Sequence, residues 1–396
     1  MKQGEFIALS ASAMMLTALG IDIMLPAFGE LREDFNLDPH STETAKIISF
    51  FFLGQVAQIV FGTLSDRFGR LPILRVGFPL YVVGGIAAAF APNLSLMLIA
   101  RFVAGVGASA VFMTTVAGVR DRFVGNKMAR IMSLIFTIFL FTPVIAPFLG
   151  SAILRLSSWQ AVFLTPPLFA LIIFLWSSRL EESLPHNKRI PLNFSCIGKS
   201  MASVLRNRTF LRYTTITTLL FTALSSYVAS SEHIIGGLYG KPSLFAWIFG
   251  GMGLLMALST FINSYLSTKY GARRAIKFLL LLYTLVAACL AVSTVTFGDP
   301  PNMALFFIAV TLMMSINLAV EPNSSALALE PLGDVAGMAS SIYGTLFFSM
   351  GASLGSVISD LMVNRVSPLV ISYLAFGISG LLLALNDRRP HNALQD

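Results

Sequence analysis

The chain has 396 residues, of which 56% are hydrophobic and only 12% are charged, with a formal net charge of +8. Soluble domains carry about 25% charged residues, so this composition cannot cover a water-facing surface and excludes an ordinary soluble protein. The positive charge does not indicate nucleic-acid binding, because the basic residues concentrate in alternate loops between apolar runs.

Twelve apolar runs follow one another, and each is long enough to cross a bilayer, which needs about 20 residues. The first run has no clear small-residue cleavage site, so we interpret it as a retained span. The short loops leave no room for a separate soluble domain, and the sequence predicts an all-α membrane protein. The predicted spans are residues 6–29, 44–63, 72–91, 94–118, 131–153, 160–178, 210–230, 244–266, 276–297, 302–322, 335–359 and 367–385.

Most of the 27 lysines and arginines lie near the chain ends or in the loops after spans two, four, six and eight. Arg388 and Arg389 belong to this set. Basic residues accumulate on the cytoplasmic side of membrane proteins. Both termini are therefore predicted to be cytoplasmic, as an even number of spans requires.

The longest polar connection lies between spans six and seven and divides the chain. We predict an N-terminal six-helix bundle at 1–180, a cytoplasmic linker at 181–209 with a short amphipathic helix near Cys196 to Arg206, and a C-terminal bundle at 210–396. LSDRFG at 64–69 recurs as LSTKYG at 266–271, at the end of the second span of each half. This match favours a duplicated chain, and parallel repeats of this kind occur in transporters with a site between the halves.

Six stretches of the sequence resemble motifs of a known family. The stretch GTLSDRFGR at 62–70 resembles the signature between helices two and three of the major facilitator superfamily. RFVAGVGASA at 101–110 resembles its fourth-helix motif, and FTPVIAPFLG at 141–150 resembles its fifth-helix antiporter motif, with Ala146 where glycine is usual. IDIMLPA at 21–27, together with EPNSSALAL at 321–329 and AGMASSIYG at 336–344, resembles the Bcr/CflA subfamily of drug–proton antiporters.

The resemblance implies two pseudo-symmetric bundles that export drugs across the inner membrane of a bacterium by alternating access, in exchange for protons. It also implies a cytoplasmic latch that stabilises the outward-open state, formed by Gly62, Asp66, Arg67, Gly69 and Arg70. Gly62 allows close helix approach, and Gly69 allows a turn that a Cβ would hinder. The antiporter-motif helix would bend at a small set of residues: Pro143, Pro147 and Gly150.

Asp22 is the sharpest functional candidate, because a charged side chain inside a span costs about 2.5–3.5 kcal/mol on insertion scales. Arg101 is its expected partner. At 1.5 Å per residue, both lie about 12 Å below the same outer edge of the membrane. We predict that Asp22 carries the coupling proton and Arg101 sets its proton affinity. A purely structural buried ion pair is the alternative.

Glu321 is a second acid within a span, at a position where the family pattern leads us to expect an apolar residue. It is predicted to bind a cationic substrate or to titrate, and an interfacial acid paired with a loop arginine is the alternative. The predicted substrate-binding residues are Asp22, Glu321, Gln55, Tyr227 and Asn323. Hydrogen bonding between helices is the alternative for the last three.

The sequence has no phosphate-binding glycine loop of the ATPase type, no His/Cys cluster for a metal, and no nucleophile–base pair. We therefore expect a non-enzyme that uses a proton gradient and no cofactor, ATP or nucleic acid. The expected partners are a small molecule and the lipid bilayer, and the protein is expected to be a monomer. Export of an endogenous metabolite such as a siderophore is one alternative function, and a non-transporting membrane sensor or receptor is another.

Overall fold

The structure, a computed structural model, describes residues 1–39, 41–123, 125–185, 187, 189 and 194–387, so Arg388 and Arg389 lie outside the described residues. Helices dominate this part of the chain, and it contains no strand. The predicted all-α fold class is therefore confirmed.

The described part of the first half contains eight α-helices, because its first two spans are each interrupted by a 3₁₀ turn. These turns lie at Leu25–Ala27 and Gln55–Ala57. The helices are α1 (Gln3–Asp22), α2 (Phe28–Asp34), α3 (Lys46–Gly54), α4 (Gln58–Phe68), α5 (Arg70–Ala89), α6 (Leu94–Arg122), α7 (Gly125–Leu156) and α8 (Trp159–Ser177).

The connection between the halves contains α9 (Phe194–Arg206), at the place where the sequence indicates an amphipathic helix. In the second half a π-helical turn at Leu346–Met350 interrupts the eleventh span. The helices of this half are α10 (Arg208–Glu232), α11 (Phe245–Tyr270), α12 (Ala272–Phe297), α13 (Met303–Leu329), α14 (Ala336–Thr345), α15 (Gly351–Asp360) and α16 (Ser367–Leu385).

Eleven helical segments in the described part are long and apolar enough to cross a membrane. The predicted seventh span, α10, is not among them, although it has 25 residues. Its sequence is rich in threonine and serine, which lowers its hydropathy. Several of these hydroxyls bond to carbonyls of their own helix, as Thr217 does to Tyr213 at 3.1 Å and Thr222 to Thr218 at 2.8 Å. Ser225 and Ser230 bond instead to Gly351 and Ser359 of the neighbouring α15. Because these hydroxyls have partners inside the bundle, α10 can cross the membrane despite its lower hydropathy.

The two halves share a backbone feature at their inner side, which we define as the side that carries the chain ends. Gly69 joins α4 to α5 with φ of +103°, and Gly271 joins α11 to α12 with φ of +79°. Only glycine adopts such angles without strain. The recurrence of LSxxxG therefore corresponds to the same turn in each half.

Matching charges surround these two turns. In the first half, Arg70 at the start of α5 pairs with Asp121 near the end of α6, with Nε–Oδ2 at 2.8 Å. In the second half, Arg273 at the start of α12 pairs with Glu330 just after α13, at 3.4 Å, and also with Asp387. This correspondence supports the predicted duplication.

The halves meet along three levels of the molecule. In the middle, Phe52 of α3 contacts Phe221 of α10 edge-on at 5.2 Å between ring centroids and stacks on Phe348 at 6.0 Å. Towards the inner side, Gly62 of α4 lies so close to Ser341 of α14 that a Cβ would approach its Oγ within 2.7 Å. The close approach predicted for Gly62 is thus an approach between halves. At the outer side, Arg32 of α2 pairs with Glu232 of α10.

Candidate functional site

Asp22 lies at a break in the first span. Pro26 has no N–H to donate to the Asp22 carbonyl, so regular hydrogen bonding stops here. The N–H of Met24 bonds to the Ile21 carbonyl at 3.4 Å instead of reaching Gly20. Asp22 is 5% exposed. The sequence therefore places an acid where the helix backbone is interrupted inside the bundle.

Arg101 donates to a carbonyl that loses its helical hydrogen bond at this break. It is 1% exposed, and its Nη2 donates to the freed carbonyl of Gly20 at 2.5 Å. Its guanidinium also lies over the ring of Phe51, 4.5 Å from the centroid, in a cation–π contact. The expected direct partnership with Asp22 is thus not formed, because the guanidinium bonds to the backbone two residues before the acid. Arg101 supports the helix that carries Asp22.

The antiporter-motif helix packs on the same break. A Cβ on Gly150 of α7 would collide with the carbonyl oxygen of Ile23, the residue after Asp22. Pro143 and Pro147 lie within α7 without interrupting it. On its other face α7 meets the second half, where Phe148 contacts Trp247 edge-on at 5.1 Å. α7 therefore contacts both the region around Asp22 and α11 across the boundary.

Gln55 lies in the 3₁₀ turn of the second span and is 1% exposed. Its side-chain oxygen Oε1 accepts from Nε2 of Gln58 at 3.0 Å, whereas its own Nε2 is buried without a partner among the described residues. Gln58 faces the second half, since a Cβ on Gly344 would lie 2.5 Å from its Oε1. Buried polar atoms are nearly always bonded, so the free Gln55 donor suits a bound water or substrate.

Glu321 lies in the second half and accepts a hydrogen bond from the Tyr343 hydroxyl at 3.3 Å. No described residue forms an ion pair with it. The Tyr343 ring stacks on Phe347 at 6.0 Å, and Phe347 in turn contacts Phe221 at 4.3 Å. Glu321 thus adjoins the aromatic cluster that fills the centre. The loop arginine of the alternative interpretation is not its partner in the described structure.

Tyr227 and Asn323 point into contacts within the second half. Tyr227 donates to the sulfur of Met252 at 2.9 Å and stacks on Phe249. Asn323 donates to the Asn263 side chain at 2.6 Å. These contacts favour hydrogen bonding between helices, and their substrate role stays a prediction. Among the described residues, no hydrogen bond or ring contact joins any two of the five predicted binding residues.

Two of the predicted latch residues, Asp66 and Arg70, form a charge cluster with Asp121 at the inner side. Arg70 bonds to Asp66 at 2.6 Å as well as to Asp121, and it is 9% exposed, whereas the Asp66 side chain is 41% exposed. Arg67 is exposed. In this structure Asp66 therefore orients Arg70 within the first half, and its role as a latch remains a prediction.

Sequence reasoning missed Glu182, which lies after α8. Its carboxylate accepts from the backbone N–H groups of Arg70 at 2.9 Å and Leu71 at 3.1 Å, at the start of α5. Partial burial acts to raise the pKa of Glu182, but these N–H groups, that of Leu184 and the charge of Arg189 outweigh it, so the pKa lies below its usual value. An acid at a helix N-terminus also interacts favourably with the helix dipole.

Asp387, also missed, is the corresponding acid after α16. It accepts from Arg212 at 2.6 Å and from the Tyr213 hydroxyl at 2.6 Å, and it pairs with Arg273. Burial acts to raise the pKa of Asp387, but the Tyr213 bond and the two arginines lower it below its ordinary value of 3.8. The carboxylate therefore joins the starts of α10 and α12 to the end of α16.

Asp387→Asn is expected to lower the melting temperature at neutral pH, because a depressed carboxyl pKa stabilises the folded state above the unfolded pKa. That stabilisation is lost as the pH falls from about 3.8 through the folded pKa. The measurement is thermal unfolding in detergent over a pH series, with Glu181→Gln as an exposed-acid control. The wild-type and Asn curves should converge at acid pH. A constant difference between them would contradict the ionic origin.

Comparison with known proteins agrees with this arrangement. A model of the Major Facilitator Superfamily matches residues 10–356. The bicyclomycin resistance protein homolog of Haemophilus influenzae is 28% identical over 367 residues, which cover 90% of this chain and 89% of that protein. The multidrug resistance protein MdtL of Shigella dysenteriae is 27% identical over 346 residues, covering 86% and 84%. The crystal structure of the human organic anion transporter MFSD10 (TETRAN) has the same fold, with a TM-score of 0.74 at 16% identity over 97% and 99% of the chains.

Proposed function

This chain belongs to the Major Facilitator Superfamily, and we propose that it exports small amphipathic compounds across the bacterial inner membrane in exchange for protons. It is a multi-pass membrane transporter and not an enzyme. The names of its relatives, a bicyclomycin resistance protein homolog and a multidrug resistance protein, support export of drugs as the direction and type of transport.

The observation that carries the proposal is the position of Asp22. It is a buried acid at a helix break, and the antiporter-motif helix packs on the next residue through Gly150. A carboxyl group in such a site can take up a proton from one side and release it to the other when water reaches it. An intramembrane acid is by default a functional candidate.

Alternating access provides the coupling. α7 belongs to the first half and contacts α11 of the second half, so a rearrangement of the halves changes the α7–α11 contact next to the break in the first span. The exposure of Asp22 to water then changes with the exposure of the substrate site. Arg101 stabilises the broken span through its bond to Gly20, so the acid stays in place while its surroundings change.

The proposal is tested with the purified protein in liposomes under an imposed pH gradient, screened against drugs and metabolites. Proton movement that depends on one compound would support antiport, and the responding compound would decide between a drug and an endogenous metabolite such as a siderophore. Binding without any transport of the bound compound would support the sensor alternative and contradict the proposal.

Glu321→Gln is expected to reduce transport of lipophilic cations about tenfold or more and to change transport of neutral compounds little. An acid that has no ion-pair partner and adjoins stacked aromatic rings can bind a cation by charge and by cation–π contact. The control is Glu330→Gln, which removes an exposed acid just after the inner end of the same helix, where it pairs with Arg273 away from the aromatic cluster. Equal losses for cationic and neutral compounds in Glu321→Gln would contradict cation binding.

A further inference from the structure

A buried ion pair joins the two halves at the outer side of the molecule. Arg32 lies in α2 and Glu232 is the last residue of α10. Nη2 of the arginine donates to both carboxylate oxygens, at 2.9 and 2.7 Å. The side chains are only 7% and 12% exposed. The ion pairs of the inner side described above each lie within one half, whereas this one crosses between halves.

The first half holds Arg32 in a fixed position. Its Nη1 donates to the Thr44 hydroxyl at 3.2 Å, at the start of the second span. Two residues along α2, Asp34 accepts from the indole N–H of Trp159 at 3.0 Å, and Trp159 begins α8. Three spans of the first half thus orient the guanidinium towards the second half.

The second half positions Glu232 through the residue next to it. The next residue, His233, places its Nε2 at 2.9 Å from the Val363 carbonyl, beyond the end of α15. Gly236 of the second half packs against the carboxylate, since a Cβ there would lie 3.3 Å from Glu232 Oε1, and Gly29 of the first half lies on the other side, at 3.7 Å by the same measure. The carboxylate therefore lies between glycines of the two halves.

We infer that Arg32 and Glu232 form the outer gate of the transporter, an ion pair that must separate before the substrate site opens to the outside. The inference rests on the proposed alternating access, in which the halves part at one side at a time. Because each partner is anchored in its own half, parting of the halves at the outer side lengthens the distance between them. Neither can follow the other without losing its own anchor.

The ion pair stabilises the closed arrangement of the halves. While the gate is closed, the two charges compensate each other in a site shielded from water. Removal of one partner leaves an uncompensated buried charge, which destabilises the closed arrangement strongly. In the open arrangement water solvates both groups, so removal of the partner has little effect there. Loss of either charge should therefore shift the population towards the outward-open state.

The test measures the distance between spin labels at the outer side, on Glu33→Cys in the first half and Lys241→Cys in the second, with Cys196 and Cys289 replaced by alanine. Both label positions are exposed. Glu232→Gln is expected to raise the ratio of long to short distances by about tenfold or more, where each factor of ten corresponds to about 1.4 kcal/mol. The swap Arg32→Glu with Glu232→Arg is expected to restore the short distance.

The control is Asp34→Asn, which removes an outer-side negative charge but keeps a side-chain oxygen that can accept from Trp159 in the same half. It should leave the distances as in the parent. An unchanged distribution in Glu232→Gln would overturn the gate, and so would an equal shift in Asp34→Asn. If Glu232→Gln does not fold, Arg32→Lys, which keeps the charge and loses the two-oxygen contact, should give a smaller shift in the same direction. The measurement needs neither substrate nor proton gradient, so its result is separate from the test of antiport.

Discussion

Asp22→Asn is expected to abolish proton-driven export while leaving the protein folded and able to exchange substrate without a gradient. Asparagine has nearly the shape of a protonated aspartate but cannot release a proton, so the carrier keeps one protonation state. The buried site at the helix break already accommodates a side chain of this size. The measurement compares gradient-driven transport with substrate exchange at equal pH in liposomes.

Asp22→Glu is the matched control, because it keeps the carboxyl group one methylene further from the backbone. It should retain part of the gradient-driven transport. Full proton-driven transport by the Asn variant would mean that another group carries the proton. Loss of both transport and substrate exchange would indicate a structural role for Asp22 instead.

Gly105→Val is expected to give the largest loss of stability. α6 crosses α3 so closely here that a Cβ on Gly105 would overlap the carbonyl oxygen of Phe51. A backbone atom cannot rotate away as a side chain can, so the helices must move apart, at a cost of about 1–3 kcal/mol or more. Separation would also move Phe51, whose ring lies beneath the Arg101 guanidinium.

Thermal unfolding in detergent measures this effect, with Gly251→Val as the control. Gly251 is exposed on α11, and a Cβ there meets no atom within 4 Å. The Gly105 variant should melt several degrees below the wild type, or fail to fold, while the control melts near the wild type. An unchanged melting temperature for Gly105→Val would contradict the tight crossing.

The helix layout could be predicted from the sequence, because the membrane forces each span to be a run of about 20 apolar residues. The family could be recognised because its motifs lie at turns and helix crossings, where few residue types fit. The match to the family model confirms it. Gly69 needs a positive φ, and Gly62 lies against Ser341 of the other half. Structural requirements of this kind can be predicted because they are met by a few residues that are close together in the sequence.

Pairings between distant residues could not be predicted. Glu232 is 200 positions from Arg32, and neither local sequence indicates that the two residues pair. Arg101 was expected to meet Asp22 because both lie at the same depth, but depth does not fix the direction of a side chain. The Gly20 carbonyl became its partner because Pro26 interrupts the helix and the Met24 N–H turns to Ile21.

The polar residues of the second half show the same limit. Tyr227 and Asn323 were candidates for substrate contact because they interrupt apolar runs. In the structure they bond to Met252 and Asn263 on a neighbouring span. A single sequence cannot distinguish a polar group that faces a substrate from one that faces another helix, since both lie inside the bundle.

Proton release on substrate binding tests the central claim most directly. A transported compound from the liposome screen is added to purified protein in weakly buffered detergent solution, and a pH-sensitive dye records the change. The account predicts that the wild type releases protons on binding and that Asp22→Asn binds the compound and releases none. Equal proton release by both proteins would contradict the assignment of the coupling proton to Asp22.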